Sequence, residues 1–172
     1  MLPLLVVVTG APGSGKTTLA RALAAELELP LVNRDDIKEA LYDTLGAGDL
    51  DWSRRLGIAA YAVLFTVTRR LLESGTDCIV ETNFGRAEPF VDLPPARIVQ
   101  IVCAVPEALL FERYTTRERH PGHNDAAKVD ELRARLAAGE WRPLAIGGEL
   151  IELDTSESVD IPALAARLSP DG

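Results

Sequence analysis

Apolar positions along this chain switch repeatedly between two spacings, and the switching predicts strands separated by helices. Leu4 to Val8 is an unbroken apolar, β-branched run, the pattern of a strand buried on both faces. From Thr17 to Leu27 the spacing becomes helical, with Leu19, Ala20, Leu23, Ala24 and Leu27 on one face. Leu31-Val32 reads as a short strand running into Asn33-Arg34-Asp35-Asp36, where a second helix starts with Asp as cap and first-turn residue. Past the glycine-bearing linker at 46–48, Trp52 to Glu73 reads as a long helix with Leu56, Ala60, Val63, Leu64, Val67 and Leu71 in phase. Thr76 to Val80 and Ile98 to Cys103 are the next buried strands, and Pro106 opens a helix at a position that favours proline. The polar stretch Arg117 to Asn124, broken by Pro121-Gly122, reads as a mobile loop. A helix from about Asp125 to Ala138 follows, with Val129, Leu132 and Leu136 inward. Strand Leu150 to Leu153 and helix Ile161 to Leu168 close the chain.

This order implies an α/β fold of three layers, with about five parallel strands doubly wound and flanked by helices. Ligands of such sheets bind beyond the carboxyl ends of the strands. Each chemically interesting run falls there: Gly10 to Thr17, Asn33 to Asp36, Glu81 to Asn83, and Asp154 to Ser156.

Gly10-Ala11-Pro12-Gly13-Ser14-Gly15-Lys16-Thr17 matches G-x-x-x-x-G-K-[ST] in full, between a predicted strand and a predicted helix, as in a P-loop NTPase fold. Glycines let the backbone wrap around phosphates and turn its N–H groups inward, and the helix that follows points its positive end at the same anion. Lys16 is expected to reach the β- and γ-phosphates of ATP, and the Thr17 hydroxyl to bind Mg²⁺, with Thr18 beside it.

Asp35 and Asp36 follow the second strand. A carboxylate facing the γ-phosphate can accept the proton of an attacking hydroxyl or bind Mg²⁺ through water. Asp35 is the candidate general base, with Asp36 as cap or metal helper. Glu81 sits where this fold carries a Walker-B-like acid and could orient the metal's waters, with Thr82 or Asn83 on the substrate. The same three residues also suit an ordinary strand-end turn. Arg113, Arg117 and Arg119 approach or enter the polar loop, a lid over about residues 117–127 that could neutralise the migrating phosphoryl group and exclude water. Arg113 also reads as a solvated surface charge. His120 and His123 suit a polar lid or substrate role, or plain exposure, better than a metal site, since no cysteine or third ligand accompanies them. Asp154 and Thr155 read as a turn and helix cap.

Charge narrows the partners. With 18 Lys and Arg against 26 Asp and Glu, the net charge is -8, so an extended nucleic-acid face is unexpected while a small anion in a local basic pocket is not excluded. At 172 residues and 47% hydrophobic, one domain can build its core without disulfides. Cys78 and Cys103 lie in strand-like runs and read as reduced core thiols of a cytoplasmic protein. No stretch is apolar for the roughly 18 residues that a membrane span needs.

The glycine-rich run together with Asn33-Arg34-Asp35-Asp36 resembles the kinase domain of phage-type polynucleotide 5′-hydroxyl kinases. It is also similar to the wider group of small P-loop kinases that includes gluconate kinases, chloramphenicol phosphotransferase-like enzymes and zeta-toxin-like kinases. The resemblance implies Asp35 as base, a lid arginine on the ATP phosphates, Asp154 and Thr155 beside the adenine, and Arg34 and Lys38 on the acceptor. Lys38 stands where the polynucleotide kinases carry an Arg, a departure that weighs against a polynucleotide acceptor. Three functions follow. The first is an ATP-dependent kinase of a small-molecule hydroxyl, a monomer or homodimer. The others are a polynucleotide 5′-hydroxyl kinase and a nucleotide-dependent switch with slow ATPase activity.

Overall fold

Leu4–Gly10 (β1) forms the middle strand of a five-stranded sheet in the computed structural model, which describes residues 1–117, 120 and 129–169. Every residue of β1 is buried, because helices cover both faces of the sheet. Its neighbours are Cys78–Glu81 (β3) on one side and Arg97–Ala104 (β4) on the other, with Leu31–Asn33 (β2) outside β3 and Glu149–Asp154 (β5) outside β4. All pairings are parallel, Val6 lying opposite both Ile79 and Val99. The α/β architecture expected from the alternation of spacings is therefore the one observed.

Alternate β1 side chains feed two cores, as the two-residue period requires. Leu4, Val6 and Val8 pack with Leu19, Ala20 and Leu23 of α1 (Lys16–Leu27) and with Leu164 and Leu168 of α7 (Ile161–Leu168). Leu5 and Val7 pack with Leu64 and Leu72 of α3 (Leu50–Glu73) and with Phe84 and Phe90, the latter in the single turn α4 (Glu88–Val91). A third cluster joins Ala11 of the glycine-rich loop to Leu110 and Tyr114 of α5 (Glu107–Thr116), Leu132 of α6 (Val129–Ala137), and Trp141. The remaining helix, α2 (Arg34–Leu45), packs on α3. Truncating a fully buried β1 side chain such as Leu5 to Ala should cost about 2–5 kcal/mol.

Three local expectations are corrected. The second helix is capped by Asn33, whose Oδ1 accepts from the backbone N–H groups of Asp35 (2.7 Å) and Asp36 (3.1 Å), so neither Asp is the cap. The long helix starts earlier, at Leu50, because the Asp49 carboxylate caps it through Trp52 N–H at 2.8 Å. Val63 and Val67 are 41% and 39% exposed, since the buried stripe runs through Leu56, Ala60, Leu64 and Thr68. Each valine lies about 100° around the helix from its buried neighbour. Cys78 and Cys103 are free, buried thiols, and burial pushes both up to about 12. Among the described residues no helix is long and apolar enough to cross a membrane.

Candidate active site

The glycine-rich loop leaves β1 at its carboxyl end and turns directly into α1. Gly10 is required by close approach, since a Cβ there would lie 2.5 Å from the Cys103 carbonyl oxygen of β4. Gly15 caps α1 in the left-handed region, φ +82°, which L side chains rarely adopt. Lys16 is thus the first helical residue, at the positive end of the helix dipole, and is 7% exposed. The Thr155 hydroxyl fastens the loop from the opposite side, donating to the carbonyls of Ser14 and, at 3.1 Å, Ala104.

At the ends of β3 and β2, Glu81 and Asn33 meet side by side. Glu81 is buried and accepts hydrogen bonds from Asn33 Nδ2 and from the Thr17 hydroxyl, with Lys16 Nζ 3.9 Å from its Oε1. Burial raises the Glu81 carboxyl above its ordinary value; Lys16 and Thr17 pull it back down, and the Asp35 charge adds to the rise. Asp35, in the first turn of α2, has Arg34 3.8 Å away. Lys38, one turn further and 7% exposed, donates to Ser53 Oγ of α3 at 3.0 Å.

Two cavities open onto this constellation. One, of about 300 Å³, is lined by Gly13, Gly15, Lys16, Thr17 and Thr18 with Arg113, Thr116 and Arg117. The other, of about 1080 Å³, lies between α2, α3, the segment after β3, and α6, and takes in Asp35, Lys38, Tyr61 and Asn83. Lys16 and Arg117 line both. A pocket at a helix N-terminus, joined through a lysine to a second pocket that holds a carboxylate, can set a phosphate-bearing donor against an acceptor.

Sequence and structure comparisons decide the family. The family model described as AAA domain (AAA_33) matches residues 5–138. The chain belongs to this family. A crystal structure of a candidate kinase from Chloroflexus aurantiacus is 37% identical, covers 98% of this chain and 97% of that one, and superposes with a TM-score of 0.89. At lower identity the likeness shows the fold alone. A sugar kinase of Janibacter sp. is 20% identical with a TM-score of 0.64, covering 97% of this chain and 92% of that one. Among curated sequences, an uncharacterized protein of Mycobacterium tuberculosis is 31% identical over 152 residues, 80% of this chain but only 30% of that protein. This chain therefore spans under a third of the length of the curated relatives it first matches. A cytidylate kinase of Ignicoccus hospitalis is 29% identical over 92 residues, 51% of this chain and 53% of that one. This AAA domain has a kinase-like P-loop fold, and its neighbours support a phosphotransferase.

The domain brings most of the expected residues together and leaves a few apart. Lys16, Thr17, Asp35, Arg34, Lys38 and Asn83 each line at least one of the cavities; Glu81 lines neither and meets the site through Lys16 and Thr17. Thr82 is buried, donates to Asn83 Oδ1 at 3.1 Å, and is not among the described residues lining either cavity. Asp36 lines neither cavity; its carboxylate meets Arg21 of α1 at 2.9 Å with about half its side chain exposed. Arg113 lines the smaller cavity yet also donates to the carbonyls of Thr155 (3.0 Å) and Ser156 (3.2 Å), so it braces the loop after β5 and is no free surface charge. Asp154 is exposed, and its bonds to Ser156 hold it below the ordinary carboxylate range. Arg117 lies over the Tyr114 ring at 4.8 Å. His120 meets Asp43 at 3.0 Å on α2. Arg119, His123 and most of the expected lid fall outside the described residues. No group of three or more His, Cys, Asp or Glu among the described residues could hold a metal.

Sequence reasoning missed two things. Asn33 serves both as helix cap and as partner of Glu81; an Asn directly before a helix was the available signal. Gly57, mid-helix in α3, lets Arg34 lie against the helix backbone, Nε and a terminal nitrogen each 3.4 Å from the Gly57 carbonyl. A glycine inside an otherwise strong helix pattern was the available signal there.

Proposed function

We propose that this domain, residues 1–172 read as one kinase unit, transfers the γ-phosphoryl group of ATP to a hydroxyl of a small molecule. The observation that carries the reading is the junction of the two cavities at Lys16 and Arg117, with Asp35 on the larger side only. ATP occupies the smaller cavity, its phosphates on the loop N–H groups, Lys16 and Arg117, and its base towards Asp154 and Thr155. The acceptor occupies the larger cavity with its hydroxyl against Asp35. The bond from the γ-phosphorus to the bridging oxygen breaks, a new bond to the acceptor oxygen forms, and the acceptor proton passes to the Asp35 carboxylate. ADP and a phosphate ester leave.

Thr17 and Glu81 fit a magnesium ion. Both offer oxygen to a hard cation, and so few protein ligands suit an ion that keeps waters and nucleotide phosphates in its shell. When bound, the ion neutralises charge on the β- and γ-oxygens. A buried carboxylate beside Lys16 is ready to hold positive charge, whereas Asp36 is already committed to Arg21 and takes at most an outer role. Lys16 steadies the phosphates, Glu81 and Asn33 hold each other in place, and Arg113 braces the loop under the nucleotide. Two reduced, buried thiols agree with a cytoplasmic setting.

The test is ADP release from Mg-ATP across a panel of hydroxyl acceptors, with Lys16→Ala as the blank and mass detection of the product. One acceptor class that raises turnover and gains phosphate supports the reading. Slow hydrolysis that no acceptor stimulates removes it in favour of a nucleotide-dependent switch.

A further inference from the structure

In a chain of net charge -8, the larger cavity is locally positive: among the described residues eight of its lining side chains are Lys or Arg and four are Asp or Glu. Two of the eight, Lys16 and Arg117, also face the donor cavity, and Arg135 is held in a two-pronged pair by Glu140, its Nη2 donating at 2.6 Å. Arg34, Tyr61 and Arg86 are different. They line the cavity from three separate elements, α2, α3 and the segment between β3 and α4, and the charges of both arginines act on Tyr61.

This grouping is built, not incidental. The Tyr61 ring is fixed by Phe65 (centroids 5.2 Å apart) and Phe84 (5.9 Å). Arg34 lies over that ring at 5.9 Å and is seated by the Gly57 carbonyl. A Cβ at position 57 would come within 2.7 Å of the Arg34 guanidinium, so glycine is what admits it. Burial pushes the Tyr61 phenol up to about 12; the charges of Arg34 and Arg86 act against that rise, and Glu88 acts with it. The phenol therefore stays a proton donor at neutral pH. Two guanidiniums whose charges act on the same phenol, in a cavity that all three side chains line, offer with its O–H several donors, and their complement is an oxyanion with several acceptors.

We propose that the acceptor is itself anionic, a small hydroxylated carboxylate or phosphate whose charged group binds between Arg34 and Arg86 against Tyr61. The proposal rests on the reading of the larger cavity as the acceptor site. The Asp35 carboxylate lies 3.8 Å from a terminal nitrogen of the same Arg34 guanidinium. A hydroxyl at Asp35 and an anionic group on Arg34 are consequently only a short span apart, and the acceptor is compact.

Matched acceptors test it: a sugar acid against its neutral sugar, and a sugar monophosphate against the same sugar, each followed by ADP release and product mass. The anionic member of a pair is expected to show a KM at least about tenfold lower. Gly57→Ala, which displaces Arg34 without deleting a charge, should raise that KM about tenfold to a hundredfold while kcat changes little. Arg86→Gln, an exposed change that spares folding, should do likewise, and Arg86→Lys should recover part of the loss. Equal use of neutral and anionic members, or variants that leave the anionic KM unmoved, overturns the anion subsite and leaves the kinase reading standing. If no acceptor stimulates Lys16-dependent ADP release, the kinase reading falls and the subsite with it. Inorganic phosphate titrated onto protein saturated with a non-hydrolysable ATP analogue separates carboxylate from phosphate preference. Saturable binding that Arg86→Gln weakens about tenfold points to phosphate, and a sugar acid that binds where phosphate does not points to carboxylate.

Discussion

The cavity of about 300 Å³ at the glycine-rich loop draws five of its eight lining residues from Gly13 to Thr18, whereas the 1080 Å³ cavity beside it is assembled from six separate stretches of chain. The first is fixed by backbone: glycines that only glycine can replace, a helix N-terminus, and a lysine at its first turn. The second is fixed by side chains on crossing helices, such as Lys38 reaching Ser53 and Arg34 resting on Gly57. A pocket made of backbone has little freedom to vary without losing phosphate binding. A pocket made of side chains can be retuned one residue at a time, which is how one fold serves many acceptors.

Substitutions on either side of the junction separate the two regions most sharply. Lys16→Ala should lower ADP release by about a thousandfold whether or not an acceptor is present, because it removes charge stabilisation common to transfer and hydrolysis. Asp35→Asn should lower acceptor-dependent release by about a hundredfold or more while acceptor-independent hydrolysis persists. Parallel assays with and without acceptor distinguish them. Equal loss in both assays for Asp35→Asn would move that residue to the donor side and break the comparison.

The same contrast explains what the chain revealed in advance. Gly10 to Thr17 could be read because spacing along the sequence is itself the geometry of the loop. The succession of strands and helices along the chain and the position of Glu81 at a strand end were equally legible, since continuous apolar runs and helical periods report burial directly; the order of the strands within the sheet was not, because it depends on how the helices cross over. Tyr61, Gly57 and Arg86 were not, because their meeting depends on how α3 crosses α2 and where the segment after β3 returns, and no local pattern encodes either. The cap at Asn33 was misread because two aspartates next to it are also good caps; the tie is broken by Glu81, 48 residues away, which takes the Asn33 amide while its carbonyl caps the helix.

Next in size is the loss of the hydroxyl that ties the loop to the sheet. Thr155→Val leaves the Ser14 carbonyl without that donor, while the Ala104 carbonyl keeps the Thr155 N–H at 2.9 Å, at a cost of about 1–3 kcal/mol in urea unfolding. The KM for ATP should rise and the KM for the acceptor should not. A rise in both would mean that the two cavities share more of their framework than Lys16 and Arg117.

Glu81 makes a prediction of opposite sign for stability and for turnover. Its folded-state pKa lies above the ordinary 4.5, so the stability it contributes is fully present below that value and is lost as pH rises through the raised one. Nucleotide-free Glu81→Gln should therefore unfold at higher temperature than the parent at neutral pH, and the difference should vanish below pH 4.5. Its turnover should nevertheless fall about tenfold to a hundredfold, as expected of a group that positions a metal. Melting curves across pH read the first effect and ADP release the second.

The smallest effect belongs to Asp36, the neighbour of the proposed base. Its pair with Arg21 is about half exposed on both sides, so Asp36→Asn should cost about 0–1 kcal/mol at low salt and less when the pair is screened. Turnover should stay within about threefold of the parent, because a carboxylate held at the surface by α1 gives up little that the junction of the cavities uses. A loss as deep as that of Asp35→Asn, persisting in high salt, would mean that α2 delivers both carboxylates to the phosphates once nucleotide is bound. The acceptor side would then begin inside the donor pocket, and the division at Lys16 and Arg117 would have to be redrawn.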